Sequence, residues 1–406
     1  MASGVIIIGA GQAGGEAAFA LREGGFAGPV TIIGEEPHIP YERPPLSKAL
    51  LIGNNEPADT YLREQAAYDE HDIALQLNVT ARSIDRSGKG VDLSDGSALA
   101  YDKLLIATGA RVRRLDLPGA NLAGVFYLRD IADSLAIREA LTPGAKLVVI
   151  GGGYVGLEVA ASARKRGCEA TVIEVADRIM NRVVAPEMST HFTDVHRAAG
   201  VDIRTDIAPE AIEGDGHVRE LSLSDGSRIA ADVIVIGIGV VPNSELAHDA
   251  DLDVDNGIKV DEFTRTNDAN IFAAGDVTNH FNPLLGRSLR LESWQNAQNQ
   301  AIAAANIMLG GEEPHAEIPW FWSDQYDINL QMVGAPESWE RVVRRDGGED
   351  GRFTLFYMAD GKLVAANTVD NARDIRPARQ LIEKATPLTA EELADPGVKM
   401  QQLAKR

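Results

Sequence analysis

The sequence has 406 residues, 45% of them apolar and 24% charged, which is the make-up of an ordinary globular chain with room for two or three domains. A formal net charge of −21 repels phosphate backbones and argues against nucleic-acid binding. Apolar runs such as Val5 to Ile8 and Val233 to Ile238 are far shorter than the roughly 18 residues of a spanning helix, so no membrane role is expected.

The chain opens on Gly4-Val-Ile-Ile-Ile-Gly9, which reads as a strand buried on both faces of a parallel sheet. No charged segment followed by an apolar one precedes it, so a cytoplasmic location is expected by default. Gly9-Ala10-Gly11-Gln12-Ala13-Gly14 follows, with a helix predicted from about Gly11 to Gly24 and a second strand at Val30 to Ile33. Such a glycine pattern alone is weak. Between a buried strand and a helix, with Glu35 and Glu36 after the next strand, it specifies a dinucleotide site. Gly9 makes the turn, Gly11 admits the pyrophosphate, and Gly14 lets helix and strand pack closely. The pyrophosphate rests on the N–H groups of the helix start, and an acid takes the ribose diol.

Residues 34–60 read as a loop with short helical pieces, and Lys103 to Ala107 as a buried strand that ends at Thr108-Gly109-Ala110. The theme then repeats. A strand at Lys146 to Ile150 leads into Gly151-Gly152-Gly153-Tyr154-Val155-Gly156, a helix to about Gly167, a strand at Ala170 to Ile173, and Glu174. Glu174 suits a free 2′-hydroxyl and repels a 2′-phosphate, which favours NADH over NADPH, although Arg178 and Arg182 lie close behind. Two such loops imply two dinucleotides, and a flavin is the usual partner of a nicotinamide. Ile271-Phe-Ala-Ala-Gly275-Asp276 reads as a strand whose Asp can bind a ribityl hydroxyl. From about residue 313 short alternating stretches appear, Arg352 to Met358 and Lys362 to Thr368, joined by the hairpin signal Asp360-Gly361. They predict a small α+β C-terminal domain, with a polar, peripheral segment from about Leu388.

With the Ala107-Thr108-Gly109 corner, the strand ending in Gly275-Asp276 resembles the two-dinucleotide flavoprotein family that includes glutathione reductase. The stretch Gly34-Glu-Glu-Pro-His-Ile-Pro-Tyr-Glu-Arg-Pro-Pro-Leu-Ser-Lys48 resembles its ferredoxin-reductase branch, and apoptosis-inducing factor carries a similar element. Tyr127-Leu-Arg129, Arg290 to Ala297 and Pro319 to Asp324 match as well, so the resemblance covers nearly the whole chain. It implies an α/β fold with two Rossmann-like dinucleotide-binding domains and a small C-terminal domain. The FAD domain is expected to be split (1–110 and 240–312), with an NAD domain (111–239) inserted and a C-terminal domain at 313–406. Disulfide reductases of the family need a cysteine pair, and its oxidases and peroxidases need a cysteine facing the flavin. This chain has Cys168 alone, with none between Tyr41 and Lys48, and Cys168 reads as a small buried residue.

The resemblance implies the following roles. Lys48 lies near the flavin N5 edge, and its partner Glu158 reaches the nicotinamide carboxamide. Tyr154 and Val155 lie against the flavin–nicotinamide stack, where one can gate it. Glu35, Glu36, Arg43, Val79 and Arg129 contact FAD. Ser293 and Trp294 open a helix over Gln295 to Met308 that points at the flavin C2 and N1 region, and Trp322 shields the flavin. Gly239 passes near the nicotinamide, and Glu292 is a further candidate for the carboxamide. The plainer readings are that Lys48 and Glu158 are solvated, that Arg129 forms a surface ion pair, and that Trp322 joins a core aromatic cluster. No metal is expected. The activity implied is NADH to FAD to a 2Fe–2S ferredoxin that serves a cytochrome P450 or ring-hydroxylating dioxygenase. The alternatives are a rubredoxin or quinone reductase, or an NADH-dependent redox sensor resembling apoptosis-inducing factor. Arg287, Arg290, Arg373, Arg376 and Arg379 are the docking candidates for an acidic ferredoxin, and a monomer or weak dimer is expected.

Overall fold

The computed structural model describes residues 4–348 and 351–406. These form two compact units. One comprises the chain up to Arg43, Ala58–Arg111 and Val241–Pro319; the other comprises Pro44–Pro57, Val112–Val240 and Trp320–Arg406.

The first unit is built on parallel strands in the order Ile73–Leu77, Val30–Gly34, Gly4–Ile8, Ala98–Ile106, Ile271–Ala273. Val5 and Ile7 enter one core, Ile6 and Ile8 the other. Alternate side chains thus go to opposite faces, both covered, which is why the run is continuously apolar. On one face the helix Gln12–Glu23 packs against the helix Trp294–Met308. Ala17 and Ala18 meet the small side chains Ala301, Ala304 and Ala305 there, and a methyl group at Gly24 would lie 2.2 Å from Leu309 Cδ1. The second helix starts at Trp294, and Ser293 caps it by accepting from the Asn296 N–H at 3.2 Å.

The second unit repeats the first four positions of this order with Val201–Arg204, Glu169–Ile173, Lys146–Ile150 and Val233–Ile236, and its fifth strand, Val125–Tyr127, comes before them in the chain; all are parallel. Its C-terminal part is a five-stranded antiparallel sheet ordered Trp320–Gln325, Ile328–Gly334, Lys362–Val369, Phe353–Ala359, Arg341–Asp346. The Asp360-Gly361 hairpin has φ values of 50° and 69°, the doubly positive geometry of a type I′ turn.

The segment after Leu388 differs from the expectation of a peripheral tail. Thr389 and Glu392 form a capping box on the helix Ala390–Ala394, and Leu393, Met400 and Leu403 are buried. The buried Arg345 guanidinium donates to the carbonyls of Leu393 (3.3 Å), Pro396 (3.4 Å) and Val398. Two helices of five and four residues are too short for an apolar period to register in sequence. Among the described residues no helix is long and apolar enough to cross a membrane, and no cluster of three or more potential metal ligands occurs.

His280 and His315 are buried together in the first unit with ring centroids 5.4 Å apart, and neither ring nitrogen of His280 finds a partner. Burial, then the neighbouring His315, depress His280 from its usual 6.5 to about 4. The unfolded chain therefore binds a proton between pH 6.5 and 4 that the folded chain refuses. The contribution of His280 to stability should be level above pH 6.5 and fall by about 3 kcal/mol as pH drops to about 4. Melting curves of wild type and His280→Leu at pH 7.5 and 4.5 test this: the variant should lose less, and equal losses would reject it.

Candidate active site

The two glycine loops are built alike. Gly9 and Gly151 adopt φ values of 121° and 114°, and a Cβ on them would meet the carbonyl oxygens of Ala107 at 2.1 Å and Gly237 at 2.4 Å. Cβ atoms on Gly14 and Gly156 would strike the Gly9 oxygen at 1.9 Å and the Gly151 oxygen at 2.2 Å. Around Gly11 and Gly153, by contrast, a Cβ would meet nothing within 4 Å. Those two residues are also the helix N-caps, and no side chain caps either helix. Each loop therefore leaves open space in front of uncapped N–H groups at a positive helix end, the surface that a pyrophosphate requires. The residues present fit FAD and NADH.

In the first unit the acid after the second strand is tied down. Glu36 accepts from the Tyr41 hydroxyl at 2.6 Å and pairs with Arg43 at 2.9 Å, whereas Glu35 is exposed. Burial pulls the Arg43 guanidinium down, but Tyr41, Glu36 and Asp276 outweigh it and hold it above its ordinary value. The Ala107–Gly109 corner is clamped by Asn243: the Thr108 hydroxyl donates to its carbonyl (2.8 Å), its amide donates to the Thr108 carbonyl (2.9 Å), and its N–H donates to Gly109 (2.9 Å). Gln300, fully buried, accepts from the Gly275 N–H (2.8 Å) and the Thr278 hydroxyl (2.9 Å), which fixes the turn that carries Asp276. The Val79 N–H donates to Gly34 (3.0 Å), and Trp294 Nε1 donates to Glu42 (3.1 Å). The holding roles of Tyr41, Asn243 and Gln300 are not legible in the sequence. Asn243 lies four residues after Gly239, and nothing local marks it or Gln300.

Lys48, Arg129 and Trp322 belong to the second unit. Lys48 Nζ lies 3.0 Å from Glu158 Oε2, with side-chain exposures of 20% and 5%, so neither is a solvated surface charge. Glu158 also accepts from the Ser47 hydroxyl at 2.5 Å and the Ser323 hydroxyl at 2.7 Å. In the second glycine loop Glu174 accepts from the N–H groups of Gly152 (2.8 Å) and Ala176 (2.9 Å). Arg178 is spent on Val184 O, Asn181 O and the Ser189 hydroxyl, so it is not held in reserve for a 2′-phosphate. Tyr154 is pinned, with its hydroxyl on Met332 Sδ (2.9 Å) and its ring 4.8 Å from Phe321, while Val155 stands exposed. Gly239 (φ 103°) has Arg182 beside it. Trp322 stacks on Trp320 at 5.2 Å and donates to Asp324 at 3.1 Å.

Two residues given separate jobs meet. Arg290 ion-pairs with Glu292 and is only 14% exposed, so one side chain neutralises the other. Among the other docking candidates, Arg373 and Arg376 are exposed and Arg287 and Arg379 are partly covered.

Two dinucleotide cradles and a buried Glu158 paired with a partly buried Lys48, in a chain with a single buried cysteine, define a flavin- and nicotinamide-dependent oxidoreductase that does not use a dithiol. The sequence matches the pyridine nucleotide-disulphide oxidoreductase family over residues 3–301 and a reductase C-terminal domain over residues 320–404. It is 45% identical to the ferredoxin–NAD(+) reductase component of the anthranilate 1,2-dioxygenase system of Burkholderia cepacia, over 97% of each chain. Its structure resembles a ferredoxin reductase of Rhodopseudomonas palustris (TM-score 0.96, 38% identity, 99% of this chain and 100% of that one). It also resembles putidaredoxin reductase in a covalent complex with putidaredoxin (TM-score 0.95, 39% identity, 99% and 98% covered). The chain belongs to the pyridine nucleotide-disulphide oxidoreductase family, among its FAD-dependent ferredoxin–NAD(+) reductases.

Proposed function

We propose that this enzyme passes electrons from NADH to a 2Fe–2S ferredoxin that serves a cytochrome P450 or a ring-hydroxylating dioxygenase. Bound FAD supplies the chemistry that accepts a hydride and releases electrons one at a time. The protein contributes position and charge. On this reading residues 1–110 and 240–312 bind FAD, 111–239 bind NADH, and 313–406 form the C-terminal domain. The first glycine loop, Glu36, Arg43 and the Gly275-Asp276 turn hold FAD. The second loop and Glu174 hold NADH. Lys48 offsets the negative charge of the reduced flavin, and Glu158 orients the carboxamide. The observation that carries the reading is the Lys48–Glu158 pair in a chain whose lone thiol is buried.

Anaerobic stopped-flow mixing with NADH or NADPH, then with a 2Fe–2S ferredoxin, tests it. Fast bleaching selective for NADH, then fast reoxidation by the ferredoxin, is the expected result. Bleaching without that reoxidation would discard the ferredoxin, and slow bleaching with a lasting long-wavelength band would point to a redox sensor. Docking is assigned to the exposed Arg373 and Arg376, since Arg290 is already neutralised. Arg376→Glu should slow ferredoxin reduction about tenfold at low salt and leave bleaching by NADH unchanged. Equal slowing of both steps would reject the docking assignment.

A further inference from the structure

From the Lys48–Glu158 pair a line of side chains runs through the second unit. The Ser323 hydroxyl lies 2.7 Å from Glu158 Oε1, Gln325 Nε2 3.1 Å from Ser323 Oγ, His196 Nε2 2.8 Å from Gln325 Oε1, and the Tyr326 hydroxyl 3.1 Å from His196 Nδ1. Glu158, Ser323, Gln325 and His196 are all buried, and Tyr326 is half-buried.

Proton counting leaves one direction for every bond. Glu158, paired with the Lys48 ammonium, is a carboxylate and can only accept. Ser323 has one proton and must spend it on Glu158, so its oxygen accepts from Gln325. The Gln325 amide nitrogen therefore faces Ser323, and its oxygen needs a donor from His196. His196 must then carry its proton on Nε2, and its bare Nδ1 takes the Tyr326 hydroxyl proton. Burial, the larger influence, lowers the proton affinity of His196, in keeping with a neutral ring, although its bond to Gln325 works the other way.

We propose that Ser323, Gln325, His196 and Tyr326 are positioning residues: a one-way hydrogen-bond chain that aims four donors, head to tail, at the Glu158 carboxylate. Each donor is polarised by the acceptor ahead of it, so the chain is worth more than its separate bonds and acts as a unit. It holds Oε1 in place and leaves Oε2 to Ser47 and Lys48. The part this plays in turnover rests on the reading of Lys48 and Glu158 given above; the chain and its tautomer do not.

The test has a readout apart from activity. In holoenzyme carrying nitrogen-15 histidine, with signals assigned by a His196→Gln sample, His196 should show a protonated Nε2 and a bare Nδ1 at pH 7.5. Both signals should move in Ser323→Ala, where the amide is no longer forced to face one way. A protonated Nδ1, or a ring charged on both nitrogens, would overturn the proposal. In stopped flow, Ser323→Ala should slow bleaching by NADH about tenfold, with Ser323→Thr restoring it, since losing orientation at a reacting group costs one to two powers of ten. Tyr326→Phe, a smaller change at the half-buried end, should slow it less and melt as wild type does. If Glu158→Gln itself bleaches at the wild-type rate, the role of the pair is wrong; if Glu158→Gln is slow while Ser323→Ala is fast and its histidine signals stay put, the chain does not position Glu158.

Discussion

Glu158→Ala should bleach with NADH about a hundredfold more slowly than wild type and lose about 3 kcal/mol of stability. The two effects have separate causes. The lost stability comes from what remains: a Lys48 ammonium only 20% exposed, and the Ser47 and Ser323 hydroxyls without their acceptor. Breaking a buried ion pair costs about 3–5 kcal/mol, and the partial access of Lys48 to water places this one at the low end. The lost rate comes from the charge and the hydrogen-bond acceptor themselves. Replacing both partners, Lys48→Met with Glu158→Leu, should therefore recover much of the stability and none of the rate. Urea unfolding of the two single variants and the double variant, beside stopped-flow bleaching, decides the matter. A double variant that regains its rate would remove both residues from the reaction.

The second large effect is a contrast between neighbouring glycines. Gly151→Ala forces a side chain into a backbone with φ 114° and a Cβ to within 2.4 Å of the Gly237 oxygen, so this variant should be destabilised by about 2–4 kcal/mol. Gly153→Ala meets no protein atom within 4 Å, so it should melt within a few degrees of wild type. It should nevertheless bind NADH about a hundredfold more weakly, because the new methyl group stands where the pyrophosphate must approach the helix N–H groups. Titration with NADH and thermal melts of the two variants separate fold from binding. A Gly153→Ala enzyme with wild-type NADH affinity would mean that the dinucleotide does not use this loop.

What could be read from the sequence was local. A buried strand, a glycine turn and a helix lie within about twenty residues of each other, and the two arms of the Asp360-Gly361 hairpin are closer still. In each the backbone geometry demands particular residue types. The Lys48–Glu158 pair joins positions far apart in the chain and was reached only through resemblance to a family. The matched stretch Pro319 to Asp324 contains Ser323 but gives it no role, and Gln325 and His196 lie outside every matched stretch, because a hydrogen-bond network of mixed polar side chains has no period. Arg290 and Glu292 show the same limit from the other side: two charges two residues apart, each assigned a distant partner, satisfied one another. The packing of the tail is hidden in the sequence because its anchors, Leu393, Met400 and Leu403, are sparse among polar neighbours.

Cys168 is fully buried, its thiol lies 3.3 Å from the Thr142 carbonyl, and burial raises its pKa above the usual value despite the opposing pull of Arg166 and Arg164. Thiol reagents attack thiolates, so the folded enzyme should be almost silent toward maleimides at neutral pH. A cysteine placed by design at a surface position such as Arg376 would then be the single reactive handle on the molecule. It could carry a spin label or a crosslinker that reports where an electron acceptor lands, and slow labelling of Cys168 would serve in the same sample as a clock for opening of the second unit.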